Sequence, residues 1–360
     1  MTVVIHPRPN PIVAAMYTLR DMDVDVIVVH GPAGCGFMAS RMLEEAGVRV
    51  VTSAMKEQDL IFGGGDALAR TLNEVLRKFH PHTVAVIGTC ASTIIGDDMA
   101  AVIRRIGADG CVIFSVNCSG CLGDNTEGAA RALLAGAKAG IIPQTEADRQ
   151  VQLLKAATEL EKRVGMASKD YLSPAVSPTK LHVAKDIAAA LSAGKRVAVV
   201  MLAKKELAYR FADIFVAADE ARRKLGGQTF FVANMDGGVG LPRIRRYCAN
   251  IAAELDADGV KLDAVIGGLD EYAVVGARMQ TAVDVFRPDL RIFLGICHAY
   301  PDLKKEDILI TDQPRELANY LGQNFQRAVG EVDSHSMVMD AAGLVHLETA
   351  DTLRELVREM

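Results

Sequence analysis

The chain has 360 residues, half of them apolar and 24% charged, and a formal net charge of −5. That is globular composition, long enough for two or three domains with sizeable cores, and mostly aliphatic ones because Trp is absent and aromatics make up only 5%. The slight acidity and the lack of a long basic run exclude a general nucleic-acid binder, and no eighteen-residue apolar stretch offers a membrane span.

The opening, "MTVVIHPRPNPIV", lacks the basic start and apolar core of a secretory signal, so the expected location is cytoplasmic. Within it, "IHPRP" (5–9) places His6 and Arg8 in an extended, proline-stiffened arm of a kind that packs on a partner subunit or covers a site. Beyond it, "DVIVVH" (25–30), "VRVV" (48–51), "TVAVIG" (83–88) and "CVIFSV" (111–116) predict strands buried on both faces. Between them "SRMLEEAG" (40–47), "DALARTLNEVLRKF" (66–79) and "DDMAAVIRRIG" (97–107) carry apolar residues at helical spacing. Alternation of this kind predicts a parallel sheet with right-handed crossovers.

Residues 125–194 read as mainly helical, with a linker or bend at "LSPAVSPTK" (172–180). A second alternation runs through "RVAVVML" (196–202), "TFFVAN" (229–234), "LDAVIGG" (262–268), "RIFLGI" (291–296) and "DILIT" (307–311). The final "TADTLRELVREM" is an amphipathic helix. The expected fold class is therefore α/β, with stacked Rossmann-like, doubly wound domains. The expected divisions are 1–140 as an N-terminal Rossmann-like domain, 141–194 as a helical connection, 195–330 as one or two further Rossmann-like domains (with a division near 270), and 331–360 as a C-terminal helical segment.

Seven cysteines occur: Cys35, Cys90, Cys111, Cys118, Cys121, Cys248 and Cys297. An odd number in a cytoplasmic chain disfavours a disulfide framework, leaving packed thiols or ligands. Ligands gather at the carboxyl ends of strands in open α/β sheets. Three turns of the first alternation fall there: "HGPAGCG" with Cys35, "GTCASTIIGDD" with Cys90, and "NCSGCLGDN" with Cys118 and Cys121. Cys111 opens a strand and reads as structural. One cysteine beside glycines is ordinarily a small buried residue; three such turns on one edge favour ligands. Backbone amides in glycine-rich turns can also hydrogen-bond thiolate or cluster sulfur.

A zinc site would want two short pairs, and only Cys118-x-x-Cys121 supplies one. A thioredoxin-like use of that pair stays open, although Gly120 and Gly123 suggest a loop rather than a helix start. No phosphate loop occurs. "NMDGGVGLPRIRR" (234–246) follows a strand and opens a helix, so Arg243, Arg245 and Arg246 could hold carboxylate or phosphate, or simply be solvated. "GICHAYPDL" (295–303) offers His298 as a proton donor, a ligand or a satisfied structural histidine. His335, in "DSHSM", has no strong reading.

"HGPAGCG", "KEQDLIFGGGDAL" and "GTCASTIIGDD", in that order and spacing, resemble the nitrogenase component 1 superfamily over the first ~135 residues. The resemblance implies that Cys35 and Cys90 are ligands of an iron–sulfur cluster at a subunit interface, that the middle motif lies near a docking surface for a reductase, and that "NCSGCLGDNTEGA" borders a substrate cavity. Larger members carry a further cysteine ahead of the first motif; here "IHPRPNPIVAAMYTLRDMDVD" has none. That opening and the short chain are similar to the nitrogenase-like subunits of reductive cyclases, which reduce a nickel tetrapyrrole, Ni-sirohydrochlorin a,c-diamide, and close a lactam ring in making coenzyme F-430.

The implied partners are an ATP-hydrolysing iron–sulfur reductase, which would hold the ATP and Mg, and a second copy of the chain. Two cysteines cannot complete a four-cysteine 4Fe-4S cluster, whereas a homodimer supplies four, with Cys118 and Cys121 in reserve. Arg8, Arg243, Arg245 and Arg246 become candidates for the substrate carboxylates, and His6, His298 and Asp124 for proton donors. Two alternatives remain. One is another nitrogenase-like reductase or cofactor-assembly scaffold, of the heteromeric protochlorophyllide reductase type. The other is a non-enzymatic two-domain ligand-binding module with packed cysteines.

Overall fold

The computed structural model describes residues 10–107, 110–119, 125–164, 178–331 and 343–360. The chain divides into an N-terminal unit, residues 5–158 with Leu241–Arg243, and a C-terminal unit, which takes 159–240 and 244–360. His6, Arg8, Cys121, Asp124 and His335 lie outside the described residues.

In the N-terminal unit the order is α1 (Pro11–Asp21), β1 (Val26–His30), α2 (Phe37–Glu45), β2 (Arg49–Thr52), α3 (Glu57–Phe62), α4 (Gly65–Phe79), β3 (Thr83–Gly88), α5 (Cys90–Ile94), α6 (Met99–Ile106), β4 (Val112–Val116) and α7 (Asn125–Lys138). The long α8 (Gln144–Val164) follows. The four strands are parallel, in the order β2-β1-β3-β4. β1 and β3 are buried along nearly all their length, as expected. β2 and β4 are not: they are the sheet's edges, so their outer sides lack a neighbouring strand and remain half-exposed.

The sequence explains how this layer holds together. Leu68, Leu72 and Val75 recur at i, i+4 and i+7 on one face of α4 and bury themselves against Val26, Val28, Val84 and Val86. Each fully buried aliphatic side chain of this kind contributes about 1.5–3 kcal/mol. Asp98 caps α6, its Oδ1 accepting the Ala101 amide at 2.9 Å.

The helix α1 had no counterpart in the sequence expectations, yet all of its residues are buried. Asn10 caps it by accepting the Val13 amide at 2.9 Å, and Pro11 occupies the first turn, where a missing amide costs nothing. It crosses α7 closely enough that a Cβ on Gly128 would stand 2.0 Å from the Pro11 carbonyl oxygen. Its one fully buried cation, Arg20, donates from Nε (2.9 Å) and a terminal nitrogen (2.6 Å) to its neighbour Asp21.

The C-terminal unit contains α9 (Pro178–Ser192), β5 (Arg196–Leu202), α10 (Ala208–Leu225), β6 (Gln228–Ala233), α11 (Pro242–Ala257), β7 (Ala264–Val265), α12 (Tyr272–Phe286), β8 (Leu290–Gly295), β9 (Ile308–Thr311), α13 (Pro314–Gly322), β10 (Ala328–Gly330) and α14 (Glu348–Glu359). Its strands make one parallel sheet in the order β10-β9-β8-β5-β6-β7. The strand expected over 262–268 shrinks to the two-residue edge β7, and β10 was not foreseen because "AVG" is too short to carry a periodic signal. Among the described residues no helix is long and apolar enough to cross a membrane.

Candidate functional site

In the first sheet, β2 lies on one side of β1 and β3 on the other. The strand order therefore reverses between β1 and β3, and ligands of open α/β sheets bind in the crevice at such a point. The two motif turns leave those strands. "GPAGCG" follows His30 at the end of β1, and Cys90 opens α5 two residues beyond β3.

Backbone and side-chain bonds tie the two turns together. Thr89 donates from Oγ1 to the His30 carbonyl at 3.0 Å. A Cβ on Gly31 would lie 2.3 Å from that same Oγ1, so the approach requires glycine. The Cys35 amide donates to the Pro32 carbonyl at 3.0 Å, and Gly36 takes φ +81°, the left-handed conformation that lets the turn feed into α2. On the other side the Thr89 amide donates to Ser92 Oγ at 2.8 Å, closing the start of α5.

The sequence reading passed over the group beneath these turns. His30 is fully buried, with Nδ1 3.0 Å from Ser53 Oγ and Nε2 3.0 Å from Asp97 Oδ2. Asp97, from the "GDD" of the third motif, also accepts the Gly64 amide at 3.0 and 3.1 Å. A Cβ on Gly64 would meet Asp97 at 2.5 Å and His30 at 3.0 Å. His30 and Asp97 together thus link all three motifs, the middle "GGG" through the Gly64 amide. Burial lowers the His30 pKa, with Asp97 opposing, which favours the neutral ring. The available signal was a lone histidine closing a buried strand.

Cys35 and Cys90 are both half-buried and free of disulfides, whereas Cys118 is fully buried. Burial raises the Cys35 pKa, and the nearby Cys90 adds to the rise. Burial likewise pushes the Cys118 thiol up to about 11, with Cys90 again contributing. Cys90 thus lies within electrostatic reach of both. Both shifts favour the protonated thiol at Cys35 and Cys118, and a soft cation bound there would displace the protons. Cys111 precedes β4 at the opposite end of the sheet, and Cys248 and Cys297 are buried in the other unit.

Large apolar side chains are exposed on the helices of the second and third motifs. Phe62 is 86% exposed, Ile61 74% and Ile94 83%, on the short helices α3 and α5.

The remaining candidates fall elsewhere. Arg243 is occupied, donating to the Ala46 carbonyl at 2.7 Å and pairing with Asp23 at 3.3 Å. Arg245 and Arg246 are exposed on α11. His298 is buried in the C-terminal unit, with Nδ1 3.0 Å from Glu316. Asp213, His346 and Asp351 lie near enough to share an ion, but Arg354 already occupies the group, 3.2 Å from Asp213 and 3.0 Å from Asp351.

The profile of the nitrogenase component 1 type oxidoreductases matches residues 11–162, the span that carries every one of these turns. A Methanothermobacter thermautotrophicus protein named as component CfbD of the Ni-sirohydrochlorin a,c-diamide reductive cyclase complex is 42% identical, over 99% of this chain and 100% of that one. The Methanosarcina acetivorans protein of the same name is 39% identical over 99% of this chain and 98% of its own. This chain belongs to the nitrogenase component 1 type oxidoreductase family. Within that family the likeness is uneven: a nitrogenase molybdenum-iron protein alpha chain from Methanosarcina barkeri is 34% identical, but over only 28% of this chain and 21% of its own. The sequence match with that nitrogenase chain thus spans part of this chain, whereas that with the cyclase components is end to end.

Proposed function

We propose that this chain is the catalytic subunit of a nitrogenase-like reductive cyclase that reduces the macrocycle of Ni-sirohydrochlorin a,c-diamide and closes a lactam from an acetamide side chain. Support comes from relatives of that name matched along their whole length. The electrons come from an ATP-hydrolysing iron–sulfur partner, and the lack of a phosphate loop here is in keeping with nucleotide chemistry on that partner. The setting is cytoplasmic, and residues 1–140 form the domain that carries the cluster cysteines.

The observation that carries the reading is the pairing of Cys35 and Cys90 at one switch point. Two soft sulfur ligands, half-buried on an edge, suit half of a four-thiolate site. The same pair from a second copy of the chain completes a 4Fe-4S centre, with Cys118 and Cys121 in reserve. Such a centre passes electrons one at a time. The chain's own part is to fix the two thiols on glycine turns anchored by Thr89 and His30, and to exclude water when Ile61, Phe62 and Ile94 are covered. Arg8, Arg245 and Arg246 are proposed for the substrate carboxylates; Arg243 would first have to leave Asp23. His6, His298 and Asp124 are proposed proton donors.

The test is anaerobic reconstitution followed by iron analysis, native mass and turnover with reductase, ATP and the nickel tetrapyrrole. The reading predicts about four irons per two chains, a dimer, and a shift of macrocycle absorbance. A colourless monomer that leaves the macrocycle unchanged would refute it.

A further inference from the structure

The second sheet also reverses its strand order, between β5 and β8. The segments leaving those strands carry Lys204 and His298, and Asp312 leaves the adjacent β9. Glu161, in the last turn of α8, and Tyr272, at the start of α12, face the same group. Glu161 Oε1 is 4.0 Å from Lys204 Nζ, 3.9 Å from His298 Nε2 and 3.4 Å from the Tyr272 hydroxyl. All five side chains are buried or nearly so.

The orientation of the histidine is fixed. Glu316, fully buried, accepts from Thr311 Oγ1 at 2.6 Å, from the Tyr320 hydroxyl, from the His298 amide at 3.3 Å and from His298 Nδ1 at 3.0 Å. Those donors hold its carboxyl below the usual range despite burial, so it is ionised and accepts a hydrogen bond from Nδ1–H. Nε2 is left over. Among the described residues it has no hydrogen-bond partner. Asp312 is in the same position. Its side chain is 1% exposed, its Oδ2 accepts from Gln313 Nε2 at 2.6 Å, and its Oδ1 has no partner.

Two orphaned polar atoms at a switch point, on segments that leave neighbouring strands, call for a ligand. The surrounding charge selects its chemistry. A carboxylate would enter against Glu161, Asp312 and Glu316. An ammonium would enter against Lys204, whose charged form burial opposes but Tyr272, Glu161, Asp312 and Glu206 together favour, raising its pKa. A neutral group that both donates and accepts meets neither penalty.

We propose that this point binds a carboxamide at its two partnerless buried atoms, Asp312 Oδ1 and His298 Nε2, with Glu316 holding the histidine ring in place. The identity of the ligand rests on the cyclase reading above: an acetamide arm of the tetrapyrrole fits, and its acetate counterpart does not. The site then explains how the enzyme waits for an amidated substrate, which requires a preceding ATP- or glutamine-type amidation of the acid.

The experiment titrates the anaerobic full-length protein with Ni-sirohydrochlorin a,c-diamide and, separately, with the unamidated nickel tetrapyrrole, following macrocycle absorbance. Wild type should bind the diamide at least tenfold tighter. Asp312→Ala should bring the ratio to within threefold of unity by weakening the diamide alone, and Asp312→Asn, which keeps an accepting oxygen, should restore part of it. Equal binding by wild type, or a ratio unchanged in Asp312→Ala, overturns the inference. In parallel, acetamide but not acetate should shift the nitrogen resonances of His298; if neither or both do, the carboxamide site is wrong. Wild type that shows the acetamide shift yet binds neither tetrapyrrole would instead overturn the cyclase reading.

Discussion

Among the described residues there are two parallel sheets, each with one point where its strand order reverses, and the two points are furnished in opposite ways. At the β1–β3 point the chain places two half-buried thiols, one in a glycine turn and one opening a helix. At the β5–β8 point it places buried lysine, histidine and carboxylates on a scaffold of strand ends. The first suits a soft metal centre shared across an interface; the second suits a polar organic group held inside one unit. The same topology therefore says where chemistry can happen, and the side chains alone say which chemistry.

The sharpest break in that comparison would come from the thiols. Cys35→Ser or Cys90→Ser should reduce iron retention after reconstitution to near zero, whereas Cys111→Ser and Cys248→Ser should leave it intact. A cluster surviving the Cys35 change would shift attention to Cys118 and Cys121. The corresponding blow to the other site is Glu316→Ala. It leaves four donors unpaired around a buried position and should cost about 3 kcal/mol or more in denaturant unfolding. A loss under 1 kcal/mol would mean that the cluster around His298 is not held as described.

Gly31→Ala tests the first scaffold more gently. The new methyl must displace Thr89, so a loss of about 1–3 kcal/mol is expected. Thr89→Ala in the same chain should recover part of it, a coupling that a double-mutant cycle would read directly.

The smallest effects are those of pH, and the two units should respond in opposite senses. His30 has a folded pKa below its ordinary 6.5, so the stability it lends is present above pH 6.5 and is lost as pH falls. Asp312 is pushed by burial from 3.8 to about 7, with the charge of Glu316 adding to the rise, so its contribution is full below 3.8 and is lost as pH rises through 7. His30→Gln should flatten the acid limb of the melting profile, and Asp312→Asn should raise the melting temperature more at pH 8 than at pH 5. Parallel pH responses in both variants would show that the two groups do not differ in this way.

Much of this was legible in the sequence. Buried β-branched runs such as "DVIVVH" and "RVAVVML" announce central strands, and their turns announce the edge on which Cys35 and Cys90 sit. Edge strands were harder, because "VRVV" and "CVIFSV" are as apolar as central strands and only pairing reveals which sides stay open. The α1 helix was hidden behind three prolines, whose local signal is extended backbone. The polar scaffolds were least visible. His30–Asp97 spans 67 residues and His298–Glu316 spans 18, and a single sequence carries no period that links them.

The fully buried Arg20 and its neighbour Asp21 have a consequence for how this protein can change over time. Adjacent in the chain, they enter the interior together, so replacing either one by a neutral residue takes an opposite charge from beside the other and should cost several kcal/mol. A change at position 20 is therefore better tolerated when position 21 changes with it.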